Sequence, residues 1–115
     1  MINIYKDITL ILVTYRSEKL IIKNMAMLKK FPVVIIDNSN SDELEKIIFD
    51  YRNINLIKSS KNLGYGAANN LAVSKALTPF ILIINPDILI NEDSISDLYK
   101  NFLNDPDNIG ILGPS

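Results

Sequence analysis

Short apolar runs rich in β-branched residues recur along this chain, and mixed stretches with apolar residues at helical spacing lie between them. Ile8–Tyr15, Val33–Ile36, Ile54–Lys58, Phe80–Ile84 and Ile109–Leu112 read as strands. Phe80-Ile-Leu-Ile-Ile84 holds no polar residue, the pattern of a strand covered on both faces, and Pro86, which lacks a backbone N–H, closes it. Ser17 stands where it would cap a helix over Glu18–Lys30 with Leu20, Ile21, Met25 and Leu28 along one side, and Pro32 breaks that helix. Ser41, followed by Leu44 and Glu45, opens a second helix that runs to about Tyr51. Ala67–Leu77 has high helix propensity and stops at Thr78-Pro79. Asn91 or Asp93 caps a last helix through Phe102–Leu103, which Asp105-Pro106-Asp107 ends.

The order β-α-β-α-β-α-β-α-β, with short connections and no internal repeat or linker, predicts one α/β domain over residues 1–115. Its sheet should be mainly parallel with helices on both faces. Because the chain halts soon after its last strand with no terminal helix, a truncated sheet, the N-terminal part of a longer protein, is expected. In a parallel sheet the strands all end on one edge, and open α/β sheets bind ligands outside that edge. Thr14-Tyr15-Arg16-Ser17, Asp37-Asn38-Ser39 and Asn85-Pro86-Asp87 end strands one, two and four, so three polar clusters converge on one rim.

Composition narrows the chemistry available there. The chain has 115 residues, enough for one sizeable core, with 12 Lys+Arg against 13 Asp+Glu and no block of like charge. That balance gives no electrostatic footprint for nucleic acid and no polybasic membrane patch. The absence of cysteine excludes thiol catalysis, disulfides and thiolate metal sites, and suits a reducing compartment. The absence of histidine removes the base of a serine triad, so acid–base or metal chemistry must rest on carboxylates, amides, hydroxyls and lysines. Carboxylates paired for glycoside hydrolysis are not evident. Lys6 and Asp7 precede Ile8–Val13, a run too short for a secretory core or a bilayer span, so no transmembrane segment is predicted.

Within the rim, Asp37 and Asn38 suit hydrogen bonds from a nucleobase N–H or a ribose hydroxyl, and equally suit the turn that opens the following helix. The loop Asn62-Leu-Gly-Tyr-Gly66 precedes an Ala-rich helix. It is neither a Walker A sequence nor a dinucleotide fingerprint, but Gly64 and Gly66 permit positive φ and close backbone approach, and a helix start favours anions. Asn is a mediocre helix former, so of Asn69 and Asn70 one is expected to face the cleft and the other solvent. Asp87 is one carboxylate, sufficient for Mg²⁺ or Mn²⁺ only where water and substrate phosphates complete the shell.

Leu12-Val-Thr-Tyr-Arg-Ser17, Val34-Ile-Ile-Asp-Asn-Ser39, Asn62-Leu-Gly-Tyr-Gly-Ala-Ala-Asn-Asn70 and Leu82-Ile-Ile-Asn-Pro-Asp87, in this order and at these spacings, resemble the family-2 glycosyltransferases of the GT-A fold, a Rossmann-like α/β architecture. The likeness is to the rhamnosyltransferase-like branch, and it covers essentially the whole chain. It implies a nucleotide-diphosphate-sugar donor, dTDP-rhamnose-like or a UDP-sugar, and a saccharide or lipid-linked saccharide acceptor in bacterial surface polysaccharide synthesis. It implies that Thr14 and Tyr15 line the base and ribose pocket, and that Asp37, with Asn38, contacts the base. The loop from Asn62 through Gly64, Tyr65 and Gly66 would pack on the nucleotide, with Asn69 and Asn85 near the donor. Asp87 would reach the diphosphate through a divalent metal, Mg or Mn. A cytoplasmic location, soluble or peripheral at the inner face of the membrane, follows as an expectation.

Two departures accompany the resemblance. Asn85 stands where the Asp-x-Asp pattern of such enzymes has its first acidic residue. Their catalytic base lies in a later segment than any here, so no catalytic base is assigned. A non-catalytic nucleotide-binding or interaction module is the alternative; a receiver domain is disfavoured by Thr14-Tyr15 and Lys58-Ser59 in place of its acidic residues. A sugar-phosphate nucleotidyltransferase is disfavoured because Tyr15-Arg-Ser-Glu-Lys19 holds no glycine.

Overall fold

The computed structural model describes residues 4–59, 63–85, 87–104 and 111–112. Five strands, β1 (Ile8–Thr14), β2 (Val33–Asp37), β3 (Ile54–Lys58), β4 (Phe80–Ile84) and β5 (Ile111–Leu112), form one sheet in the order β3-β2-β1-β4-β5, every pair parallel. Four helices lie between them: α2 (Glu18–Leu28), α3 (Asp42–Ile48), α4 (Tyr65–Lys75) and α5 (Glu92–Asn104). A single turn, α1 (Ile4–Asp7), precedes β1 and was not predicted. It forms because Ile4 and Tyr5 pack on the core, with Tyr5 tilted against Phe31 at 5.0 Å between ring centroids.

Helices cover both faces, as the unbroken apolar runs require. On one face Ile8, Leu10 and Leu12 of β1, Val33 and Ile35 of β2, and Leu82 and Ile84 of β4 pack against Ile21, Leu28, Leu44, Ile48, Ile95 and Tyr99 of α2, α3 and α5. On the other, Ile11, Val34 and Ile36 pack against Ala68 and Ala72 of α4, whose small side chains let the helix lie close to the sheet. Register is set by this period-two alternation: Leu10 sits beside Val33 and Leu82, and the last aligned pair of β1 and β2 is Thr14 with Asp37.

Several boundaries move for local reasons. Ser17 precedes α2 without capping it through its side chain; its Oγ instead accepts from the Tyr15 N–H and donates to the Tyr15 C=O. Ser41 caps α3 by accepting from the Leu44 N–H at 3.0 Å, and α3 ends at Ile48, short of Tyr51. α4 opens at Tyr65, before Ala67, because Gly64 takes the turn at φ 74° and its C=O accepts from the Ala68 N–H. Asn91 caps α5, accepting from the N–H groups of Asp93 and Ser94. The stop at Asp105-Pro106-Asp107 and the start of the last predicted strand at Ile109 lie outside the described residues.

The strand order fixes where a ligand can sit. The chain steps from β1 to β2 to β3 on one side, and α4 then returns it to β4 on the other side of β1. Connections therefore part between β1 and β4, leaving a crevice at their carboxyl ends.

Candidate functional site

Thr14 ends the inward row Leu10–Leu12 of β1, and Asp37 ends the row Val33–Ile35 of β2. Their register brings the Thr14 hydroxyl to 2.9 Å from Asp37 Oδ1, to which it donates. The same oxygen accepts from the Ser39 hydroxyl at 2.8 Å and the Ser39 N–H at 3.4 Å, and Oδ2 accepts from the Ser41 N–H at 2.7 Å. Asp37 is fully buried, so its charge is tolerated through these four hydrogen bonds in place of solvent. Oδ1 carries three of them and Oδ2 one, which leaves acceptor capacity on Oδ2.

From this carboxylate the rim is tied outward. The Asn38 N–H donates to the Thr14 C=O at 2.8 Å, and its Oδ1 accepts from the Leu63 N–H at 3.4 Å, linking β2's exit to the loop before α4. The Ser41 hydroxyl donates to Glu18 Oε1 at 2.6 Å, joining the starts of α3 and α2. Arg16 holds a left-handed φ of 52°, uncommon for a residue with a Cβ, and its N–H donates to Ser39 Oγ at 3.1 Å. Tyr15 is exposed, and the Arg16 guanidinium lies 5.4 Å from its ring centroid. The sequence singled out Tyr15 but not Arg16, the cation beside it; its signal was a basic residue within a polar strand-end cluster.

At β4's exit, Asn85 Oδ1 accepts from the Asp87 N–H at 2.9 Å, and the Ile88 N–H donates to the Asn85 C=O at 3.3 Å. Asn85 is therefore a turn former, and Asp87 stands exposed one turn beyond the strand. Asn24, a second residue the sequence reading passed over, is buried on α2 and holds the far side of this loop. Its Nδ2 donates to the Ile88 C=O at 2.9 Å and its Oδ1 accepts from the Ile90 N–H at 2.7 Å. The available signal was a polar residue between Ile21 and Leu28 in an otherwise apolar stripe.

Of the glycines before α4, Gly64 has the positive φ expected of it, whereas Gly66 lies inside the helix. Among the described residues, a Cβ placed on either meets nothing within 4 Å, so they leave the surface above the first turn open. Asn69 is buried beside Ala68, and its Oδ1 has no hydrogen-bond partner among the described residues, while Asn70 is exposed. Buried polar atoms are rarely left unpaired, so this acceptor calls for a donor beyond those the described residues supply. Asn62 lies outside the described residues, as does Pro86.

Lys58, at the end of β3, is committed elsewhere: its ammonium contacts Asp42 at 2.6 Å and Glu45 at 2.8 Å. These hydrogen bonds, first that of Asp42, push the Lys58 pKa up to about 12, and the bond from Lys58 and its charge hold Asp42 below 3.8. No group of three or more His, Cys, Asp or Glu able to hold a metal occurs among the described residues. A divalent ion at Asp87 would thus take most of its shell from water and a bound anion. An exposed carboxylate on a fixed turn fits that kind of site. Among the described residues no helix is long and apolar enough to cross a membrane.

Residues 9–113 match the family model for glycosyl transferase family 2. The chain is similar to a low-salt glycan biosynthesis hexosyltransferase, Agl10, of Haloferax volcanii, at 31% identity over 94% of this chain and 36% of that protein. It is similar to an O-antigen chain rhamnosyltransferase, RfbN, of Salmonella typhimurium, at 32% identity over 83% of this chain and 33% of that protein. A poly(ribitol-phosphate) beta-N-acetylglucosaminyltransferase, TarS, of Staphylococcus aureus matches at 31% identity over 77% of this chain and 18% of that protein. The chain therefore spans about a third or less of the length of these relatives.

Proposed function

The chain belongs to glycosyl transferase family 2, and from that premise we propose that its carboxyl edge holds the nucleotide diphosphate of a sugar donor in an inverting glycosyltransferase. The acceptor is a saccharide, free or lipid-linked, of a surface polysaccharide. The carrying observation is the convergence of the β1, β2 and β4 exits on the crevice where the strand order reverses. The relatives named above act in glycan, O-antigen and poly(ribitol-phosphate) chemistry by their descriptions, which supports a nucleotide-sugar donor without choosing among dTDP-rhamnose-like and UDP-linked sugars.

In this reading Thr14, Tyr15 and Asn38 line the base and ribose, with Asp37 Oδ2 the acceptor for a base N–H once the Ser39–Ser41 turn gives way. The open surface over Gly64 and Gly66 receives the diphosphate at the start of α4, where the positive end of the helix dipole favours an anion. Asn69 Oδ1 takes a hydrogen bond from the donor, which removes the orphan acceptor. Asp87 would hold a divalent ion, with Asn85 fixing its turn; such an ion, when bound, offsets the negative charge that grows on the leaving nucleoside diphosphate.

Calorimetric titration of the chain with UDP-, GDP- and dTDP-sugars, each with and without Mn²⁺, tests the proposal. Saturable binding of at least one donor, tightened by Mn²⁺, is the expected result. A folded sample that binds none of them refutes it.

A further inference from the structure

We infer that Asn24 is a positioning residue whose buried carboxamide sets where the exit loop of β4 holds Asp87. This inference rests on the donor-side role proposed for Asp87. Asn24 lies about two turns into α2, the helix that leaves β1, whereas the groups it bonds belong to the loop that leaves β4. The clamp therefore spans the divergence of strand connections between β1 and β4 and ties the two banks of the crevice together.

Its geometry is bidentate. One amide donates to the Ile88 C=O and accepts from the Ile90 N–H, so both peptide groups flanking Leu89 are fixed. Ile90 is drawn into the core while Leu89 is left 73% exposed. Asp87 directly precedes the clamped segment, and its own N–H is held from the other side by Asn85. A carboxylate on so short a turn, anchored before and behind, is presented in one place. Asn is a poor helix former and is costly to bury, so its position within the apolar stripe of α2 calls for these two bonds. Losing a side chain that orients a ligating residue typically costs about 10–100-fold in ion affinity.

Asn53 supplies a matched control. Its amide also makes two backbone bonds, here both donated by Nδ2, to the carbonyls of Leu28 and Phe31 where α2 ends, by the amino edge of the sheet and away from the β4 exit loop. The test compares Asn24→Ala, Asn24→Asp and Asn53→Ala with the parent chain by two readouts. These are the ratio of UDP, GDP or dTDP affinity with Mn²⁺ to that without it, and amide hydrogen exchange at Asp87 and Ile90 against the β1 amides of Ile11 and Leu12.

We expect Asn24→Ala to collapse the Mn²⁺ ratio about tenfold or more, toward that of Asp87→Ala. We also expect it to speed exchange at Asp87 and Ile90 relative to Ile11 and Leu12, whereas Asn53→Ala leaves the ratio unaltered. Asn24→Asp keeps an acceptor for the Ile90 N–H but replaces the donor to Ile88 with an oxygen that repels its C=O, so it tests the same point if the alanine variant does not fold. Faster exchange with an unaltered Mn²⁺ ratio makes Asn24 merely structural and overturns the inference. So does unaltered exchange at Asp87. If the parent chain binds no nucleotide, the proposed function fails by itself, and protection at Asp87 alone then decides for or against Asn24.

Discussion

Thr14 and Asp37 meet because their strands are in register, and their contact is the polar counterpart of the apolar rows that precede them. A buried carboxylate loses heavily when a donor is removed, since neither water nor another group replaces it. Thr14→Val, close in shape, should lower unfolding free energy by about 1.5–3 kcal/mol, the range for hydrogen bonds to charged groups. Urea denaturation measures this; a change under about 0.5 kcal/mol would mean that the other donors compensate. Asp87 behaves oppositely. It is exposed, so Asp87→Ala should change stability by no more than about 0.5 kcal/mol while abolishing the effect of Mn²⁺ on nucleotide affinity. An intact Mn²⁺ effect in that variant rejects the residue as the metal ligand. Both side chains were legible as polar strand ends. That Asp37 would be sealed by Thr14, Ser39 and Ser41 was not, because the partners lie on another strand and in a turn whose geometry depends on Asn40 at φ 53°. Asn24 was hidden for a related reason: its partners stand more than sixty residues away in sequence.

Among the elements, the start of α4 separates structural from functional use of glycine. Gly64, at φ 74° and ψ 160°, occupies a region essentially closed to other residues, so Gly64→Ala should cost about 1–3 kcal/mol despite open space around it. Gly66 is helical and equally unobstructed. Gly66→Ala should therefore raise stability by about 0.5–1 kcal/mol while weakening nucleotide binding, because the added methyl stands where the diphosphate is proposed to lie. Thermal unfolding and calorimetry on that one variant measure the two opposite effects, and unchanged binding would move the anion elsewhere. The elements themselves were readable from apolar periodicity and the cap at Ser41 from residue type, while residue type left Asn91 and Asp93 as alternatives for the cap of α5. The single turn α1 was not, since a four-residue helix is set by its contacts with Phe31 and the core and carries no periodicity of its own.

The β3 exit carries a surface cluster whose pH dependence has a definite sign. Lys58, raised from 10.5 to about 12, contributes fully below 10.5 and loses its contribution as pH rises through the folded value. Asp42, lowered from 3.8, contributes above 3.8 and loses its share as pH falls through its lower folded value. The stability difference between the parent chain and Lys58→Met should thus be flat through neutrality and shrink at both extremes. Added salt should also shrink it, since Asp42 and Glu45 face solvent. Denaturation midpoints across pH and ionic strength check this. A difference that grows in acid would contradict the assigned pairing.

At the scale of the whole molecule, one topological fact organises the rest: the chain leaves β1 toward β2 and returns on the other side to β4, so polar strand ends meet over a crevice. The parallel sheet and the edge where polar residues gather followed from run lengths and their endings. The identity of neighbours did not, because strand order depends on which crossover α4 takes, and α4 has almost no amphipathic pattern beyond Ala68 and Ala72. Amide chemical-shift mapping of the chain during titration with UDP, GDP or dTDP and Mn²⁺ tests the central claim most directly. The account predicts saturable shifts at residues 14–16, 37–39, 64–66, 85, 87 and 88, with the amino edge around Thr9, Asn53 and Thr78 unmoved. Saturable shifts confined to that amino edge, or none with any of the three nucleotides, would contradict it.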